Sequence, residues 1–315
     1  MAKVSILIPV YNTQDFIAES IESILNQTYG DFELVIVDDC STDDTYSICQ
    51  RYASSDSRIK LFRNEKNLGM MPNWNYGMSL CTGDYWGKLD ADDWWDPEMI
   101  EVCVNILDVQ PEVGLVCAGH DIINESGETM NDQPLPAPDQ FMNQAFSCVD
   151  LVKQGPHGFL SYPVMKQGIG LMRRGLIEKV GNFMEFHWGD TEMWFRIGAH
   201  SQTYYVDRIL HHHRKWSDSD TVKIISQNMD TIYSGLYKTR MQVVNYYFQH
   251  GLVSEHELMD FRKITIFEHN KYLISKFRKE SSYLHMGKCL FLCLFSFPRR
   301  TFLEILHLDR IFFFR

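Results

Sequence analysis

Between residues 4 and 118 the chain alternates short apolar runs with segments of helical period, and most of the apolar runs close on polar or acidic residues. The runs at 4–10, 32–37, 59–62, 85–89 and 114–118 predict strands. The first lacks clean in-out alternation, as expected of a strand covered on both faces. The segments at 15–27, 43–53, 72–80 and 97–109 predict helices; in the first, Ile17, Ile21, Ile24 and Leu25 fall on one stripe, and Pro97 suits the first turn of the last. A chain with this rhythm has few choices. It predicts an α/β fold with a Rossmann-like, mainly parallel sheet flanked by helices, joined by right-handed crossovers, with ligands at the carboxyl ends of the strands.

Past residue 120 the rhythm breaks. Residues 121–130 hold an Asn-Glu-Ser-Gly turn between apolar arms and predict a hairpin. The three prolines in 131–139 predict a loop. Strands are expected at 169–172 and 203–206, a helix at 191–198, and a mainly helical extension after residue 220. The expected organisation is one domain over 1–219, in two halves at 1–120 and 121–219, followed by a helical region at 220–315.

Charge narrows the function classes. The net charge is −11, so the chain has no electrostatic footprint for nucleic acid. From Arg262 to Arg315 there are eleven Lys or Arg against four Asp or Glu, so an acidic body carries a basic, apolar tail. Its aromatic residues, Phe291, Phe295, Phe297 and Phe312 to Phe314, stand near Arg299, Arg300 and Arg315. Two readings stand for this tail: a surface that lies on anionic lipid, or apolar packing on the body or across a homodimer. Eight scattered cysteines without a C-x-x-C pair favour a reducing cytoplasm over a disulfide framework or a zinc site. The apolar run at the N-terminus reads as a strand rather than a signal peptide. The run at 289–297 is far short of the roughly 20 residues a spanning helix needs.

The chemistry concentrates at strand ends. Leu89-Asp90-Ala91-Asp92-Asp93 follows a strand, and three carboxylates there repel one another unless a cation or donor groups relieve them. A hard divalent ion shared with a diphosphate does so; a solvated turn capping the next helix is the alternative. Pro9-Val10-Tyr11-Asn12 and Val37-Asp38-Asp39 close the two preceding strands, where Tyr11 can offer a ring face to a nucleobase and Asp39 can accept a base N–H. No Gly-rich phosphate loop is present, so the phosphates need a metal.

These residues, together with the stretch Ser23 to Asp39, Asn67-Leu68-Gly69, Asn75 and Gly83-Asp84-Tyr85, resemble the family 2 glycosyltransferases of GT-A fold, and among them the bacterial spore-coat polysaccharide type. The resemblance implies a metal-dependent, hexosyltransferase-type enzyme. It would move a sugar with inversion from a nucleotide-sugar, most often UDP-linked, to a glycan or lipid-linked acceptor in cell-surface polysaccharide synthesis. It implies Tyr11 stacking on the base, Asp39 bonding it, Asp90 at the ribose, and Mn2+ or Mg2+ on Asp92 and Asp93, the choice among the three carboxylates staying open. Pro9, Asn12, Lys66 and Asn75 complete the expected nucleotide site. Gly189-Asp190-Thr191-Glu192 matches the family's acidic segment and puts Asp190 in the place of the general base; helix capping is the other reading. In Leu210-His211-His212-His213-Arg214-Lys215-Trp216, Arg214 matches a family Arg that folds over the diphosphate, while Trp216 stands where a His is usual. Phosphate contact by Arg214 and Lys215, with His213, is one reading, and a partly buried His run is the other. The resemblance makes 1–219 the catalytic domain, with 1–120 the nucleotide-sugar donor half and 121–219 the acceptor and catalytic-base half, where the segment from Pro156 to Arg174 is expected on the acceptor side. The enzyme would then be cytoplasmic, peripheral on the inner membrane face if the tail meets lipid. The rivals are a non-catalytic nucleotide-sugar or glycan binding module on the same scaffold, and a nucleotidyltransferase, whose Gly-rich basic loop is missing after the first strand.

Overall fold

The structure is a computed structural model that describes residues 3–130, 139–155, 169–185, 189–217, 229–279, 285, 288 and 289. Residues 156–168 and the aromatic part of the tail lie outside the described residues, and with them most of the expected acceptor segment. The chain forms two compact units: Met1–Asp150 with Leu160–Lys223, and Leu151–Phe159 with Ile224–Arg315.

In the first unit, β1 (Val4–Val10), β2 (Phe32–Asp38), β3 (Ile59–Arg63) and β4 (Tyr85–Lys88) are parallel in the order β3-β2-β1-β4. Every residue of β1 and β2 is buried, which explains their unbroken apolar spelling: both faces of the sheet are covered. Helices α1 (Ile17–Leu25), α2 (Thr45–Ser55), α3 (Met70–Leu80) and α4 (Met99–Val109) make the crossovers. In α1 the stripe Ile17, Ile21 and Ile24 is fully buried in the core it shares with Val4, Ile6 and Ile8. Burying one such side chain contributes about 1.5–3 kcal/mol, so this face fixes the helix far more strongly than its propensity does.

Beyond β4 the sheet becomes mixed. The two-residue strand β5 (Trp94–Trp95), β6 (Val113–Ile123), β7 (Gln144–Phe146), β8 (Ile169–Arg173) and β9 (Gln202–Arg214) complete a nine-stranded sheet. β8 runs antiparallel between β4 and β6, and β9 pairs parallel with β6 and antiparallel with β5 and β7. The expected hairpin is present: Gly127 N–H donates to Asn124 O, and Met130 N–H to Ile122 O. α5 (Cys148–Lys153), α6 (Arg174–Val180) and α7 (Gly189–Gly198) complete the short helices. The largest departure from the sequence reading is β9. It extends well past residue 206 to Arg214, so the histidine run is strand rather than a loop.

The second unit contains α8 (Met229–Gln249) and α9 (Glu255–Lys279) as an antiparallel pair. Asp230 near the start of α8 pairs with Lys276 near the end of α9, Arg240 with Glu268, and Arg262 Nη2 donates to Asn245 Oδ1. Val243, Val244, Tyr247 and Phe261 are buried in this unit. No helix among the described residues is long and apolar enough to cross a membrane.

Candidate active site

The carboxyl ends of β1, β2 and β4 converge, as a doubly wound sheet requires. Pro9 is buried near the end of β1, where it pairs with Val37. Tyr11 follows and is 46% exposed, its ring open to solvent. Asn12 and Cys40, at φ 51° and 62°, both turn through the left-handed region, which costs a non-glycine residue energy and marks this junction as constrained. The strands' loops are laced there: Asn12 N–H donates to Ser41 Oγ at 3.1 Å, and Thr42 N–H donates to Asn12 Oδ1 at 2.9 Å.

Asp39 is buried, and its carboxylate organises the loop after β3. It accepts from Asn64 Nδ2 at 2.7 Å, Leu68 N–H at 2.8 Å and Gly69 N–H at 2.9 Å. Gly69, at φ 87°, makes that approach in a conformation other residues resist. Lys66 stands exposed on the same loop.

Asn75 receives a different task from the one expected. Its amide donates to Phe183 O at 3.0 Å and accepts from Phe183 N–H at 2.8 Å, so both ends of the amide are committed to one backbone segment. Phe183 in turn packs on Trp74 (5.5 Å), Trp86 (6.1 Å) and Trp194 of α7 (5.5 Å between centroids). Asn75 therefore clips the aromatic cluster that seats α7.

Asp190 opens α7 in the same unit, and its Oδ1 accepts from Thr191 N–H at 2.6 Å. Glu192 is fully buried and pairs with Arg196 at 2.8 Å, whose Nη2 reaches Asn182 O at 2.7 Å. Of the two acidic residues, only Asp190 stays partly accessible. Gly189 is a steric requirement, because a Cβ there would be built onto the carbonyl oxygen of Met184.

The three carboxylates after β4 diverge sharply. Asp90 is paired with Lys88 Nζ at 2.5 Å, and that ammonium also lies 3.8 Å from the centre of the Trp74 ring. Asp92 is partly buried. Burial, then the negative charges of Asp93 and Asp90, push its carboxyl up to about 7. Asp93 is 1% exposed and fully committed: it accepts from His211 Nε2 at 2.8 Å, His213 Nδ1 at 3.2 Å and Arg214 N–H at 2.9 Å. Burial alone would raise its pKa, but the charge of His213 and the hydrogen bonds from both imidazoles hold it well below the usual carboxylate range. Burial would lower His213; Asp93, with Asp92 and Asp90, outweighs that and lifts it to about 9. Asp93, expected as a metal ligand, has both carboxylate oxygens turned to residues of β9.

Arg214, expected at the diphosphate, is committed within the fold in the same way. It is 2% exposed, and its guanidinium donates to Asp92 O (2.8 Å), Asn124 O (3.1 Å) and Glu125 O (2.8 Å) and pairs with Glu19, lying 4.9 Å over the Phe16 ring. A buried group with these bonds braces the turn. His212 is likewise taken, with Nδ1 2.6 Å from Asp121 Oδ1 and its ring stacked on Trp94 at 3.5 Å. Two contacts escaped the sequence reading. The pairing of Lys88 with Asp90 had a signal, an ammonium two residues before a carboxylate at a strand end. The hydrogen bond from Trp216 Nε1 to Asp92 Oδ2, 2.7 Å, had none. Beside Trp216, between the 124–126 turn and residues 215–217, opens a cavity of ≈ 500 Å³.

The family model described as Glycosyl transferase family 2 matches residues 5–199. The chain belongs to glycosyl transferase family 2. This family 2 chain is 40% identical over 126 residues to the putative glycosyltransferase EpsE of Bacillus subtilis, covering 40% of the chain and 45% of the relative. It is also 40% identical over 114 residues to the chondroitin synthase of Escherichia coli, covering 36% of the chain and 16% of that protein. The chain thus spans less than half the length of these relatives. Among solved structures it is similar to Staphylococcus aureus TarS 1-349 in complex with UDP-GlcNAc, at TM-score 0.68 and 16% identity over 95% of this chain and 82% of that one. At that identity the likeness concerns the fold, which is the GT-A type expected of a family 2 member.

Among the described residues no group of three or more His, Cys, Asp or Glu side chains is arranged to hold a metal. The donor chemistry still fits a hard cation shared with a diphosphate. Asp92 and Asp90 offer carboxylate oxygens at a point of surplus negative charge, and Asp93 does not.

Proposed function

We propose that the chain is a metal-dependent, inverting glycosyltransferase that moves a sugar from a UDP-sugar to a hydroxyl of a glycan or lipid-linked acceptor in cell-surface polysaccharide synthesis. The observation that carries this reading is the convergence, in a family 2 domain, of Tyr11, Asp39 and the Asp90–Asp92 carboxylates at the ends of three adjacent strands. TarS, solved with UDP-GlcNAc, and a Pyrobaculum calidifontis mannosyltransferase, solved with GDP-Man and Mn2+ at TM-score 0.52 and 16% identity, lend support by analogy of fold.

In this reading Tyr11 lies against the base and Asp39 holds the 64–69 loop that walls the nucleotide, with Pro9, Asn12 and Lys66 around it. Asp90 faces the ribose, its charge shared with Lys88. Asp92 would hold Mn2+ or Mg2+, which when bound would offset the charge of the diphosphate leaving group. Asp190 takes the proton of the acceptor hydroxyl as that oxygen attacks the anomeric carbon, which requires an approach of about 3 Å. The bond from the anomeric carbon to the phosphate oxygen breaks in the same step. The nucleoside diphosphate leaves from the opposite face, so the configuration inverts.

One experiment tests both halves. Wild type and Asp190→Asn are challenged with UDP-, GDP- and dTDP-sugars with and without Mn2+, following thermal stabilisation and sugar transfer. The expected result is a Mn2+-dependent rise in midpoint with a UDP-sugar in both proteins, with transfer reduced at least about 100-fold in the variant. Stabilisation by GDP- or dTDP-sugars alone would overturn the base assignment, and near wild-type turnover by Asp190→Asn would remove the general base.

The basic, aromatic segment 287–315 is proposed to meet an anionic membrane surface at which a lipid-linked acceptor resides. Its deletion is expected to abolish binding to phosphatidylglycerol vesicles; unchanged binding would leave packing or dimer contact as its role.

A further inference from the structure

We propose that Trp216 is a positioning residue for Asp92: it holds one carboxylate oxygen so that the other is presented to the cation. This inference rests on the reading of Asp92 given above. Residues 214–216 grip Asp92 at two atoms. Arg214 Nε donates to its carbonyl oxygen at 2.8 Å, and Trp216 Nε1 donates to its Oδ2 at 2.7 Å. Backbone and side chain of the same aspartate are thus fixed from one strand end. Oδ1 receives no hydrogen bond from the described residues, so the grip leaves that oxygen for a ligand.

The chemistry of the indole makes the role specific. Its N–H is a donor only and cannot ligate a metal, so Trp216 acts on a cation only through the carboxylate. The donor is itself held in place. The Trp216 ring packs on Phe16 at 5.1 Å and 59°, and Phe16 lies beneath the buried Arg214 guanidinium at 4.9 Å. A carboxylate flanked by Asp90 and Asp93 and left without this bond would have to be ordered at the moment of cation binding, which weakens the binding. The bond is only partly buried, and Trp216 lines the neighbouring cavity.

The test is Trp216→Phe, which keeps an aromatic ring against Phe16 and removes the N–H. Mn2+ is titrated against wild type, Trp216→Phe and Asp92→Ala at saturating UDP, with free Mn2+ read by electron paramagnetic resonance. The titrations are run at a temperature where all three are fully folded by circular dichroism. Loss of one hydrogen bond to a charged group is expected to weaken Mn2+ binding about tenfold in Trp216→Phe, with the metal-free thermal midpoint unchanged and binding lost in Asp92→Ala. A residue with only a structural role would shift the midpoint and leave the metal affinity alone. Wild-type Mn2+ affinity in Trp216→Phe alongside its loss in Asp92→Ala would overturn the positioning role and leave the metal reading intact. Wild-type affinity in Asp92→Ala would overturn the metal reading and this inference with it.

Discussion

Asp92 and Asp93 are the same side chain one residue apart, and their surroundings give them opposite work. Burial, with the negative charges of Asp93 and Asp90, lifts the Asp92 carboxyl to about 7 against the opposing indole N–H of Trp216 and charge of His213. Asp93 is held by two imidazoles and a backbone N–H and stays ionised in the core. A buried ion pair is not strong evidence of net stability, but removing one partner strands the other charge. Asp93→Asn keeps the shape and removes the charge that holds His213 protonated. We expect a loss of about 3 kcal/mol in urea unfolding at pH 7. A loss within measurement error would mean that the pair contributes nothing beyond packing.

At the scale of elements, the first half of the sheet was legible, and in the second β8, the hairpin and α7 were legible too, whereas the length of β9 was not. β1, β2 and α1 announce themselves because burial is recorded directly in apolar spacing: seven buried residues in each strand and one isoleucine stripe. β9 hides because its last turns toward the core are polar. His211 and Arg214 are buried, and His213 partly so, by pairing with Asp93 and Glu19 rather than by hydrophobicity, and such pairing is a tertiary fact that periodicity does not carry. For the same reason the positions of Tyr11, Asp39 and Asp92 at strand ends were readable, whereas the commitments of Asn75, Asp93 and Arg214 were not. α7 offers a sharper case. Its first residue is glycine because the Met184 carbonyl occupies the space a Cβ would need. Gly189→Ala forces the backbone ahead of Asp190 to shift, at an expected cost of about 2 kcal/mol in denaturant unfolding. Transfer should fall with it, since the displaced residue adjoins the proposed base. An alanine variant with wild-type stability and turnover would show that the 184–189 segment yields freely.

At the scale of the whole sheet, the two ends of the parallel strands divide the labour. The carboxyl ends hold Tyr11, Asp39 and Asp92; the amino ends hold a polar knot of Ser5 on β1, Glu33 on β2, Lys60 on β3 and Thr82 after α3. Ser5 Oγ donates to Glu33 Oε1 at 2.5 Å, Thr82 N–H donates to the same oxygen at 2.7 Å, and Lys60 pairs with the other. Burial alone would raise the Glu33 pKa, but the bonds from Lys60, Ser5 and Thr82 outweigh it and lower it to about 2. A folded-state pKa below the unfolded value of 4.5 stabilises the fold fully above pH 4.5, and this contribution is lost as pH falls from there through about 2. The displacement corresponds to about 3 kcal/mol. Glu33→Gln should therefore lower the thermal midpoint at pH 7 by several degrees and flatten the decline in stability below pH 4.5. The knot sits about five residues from the strands' carboxyl ends, roughly 17 Å at the rise of an extended chain, so the same variant should keep wild-type kcat/KM and Mn2+-dependent UDP affinity when assayed well below its midpoint. A changed kcat/KM in a variant that remains folded would show that the two ends of the sheet are coupled, and that the amino-end knot shapes the site as well as holding the strands.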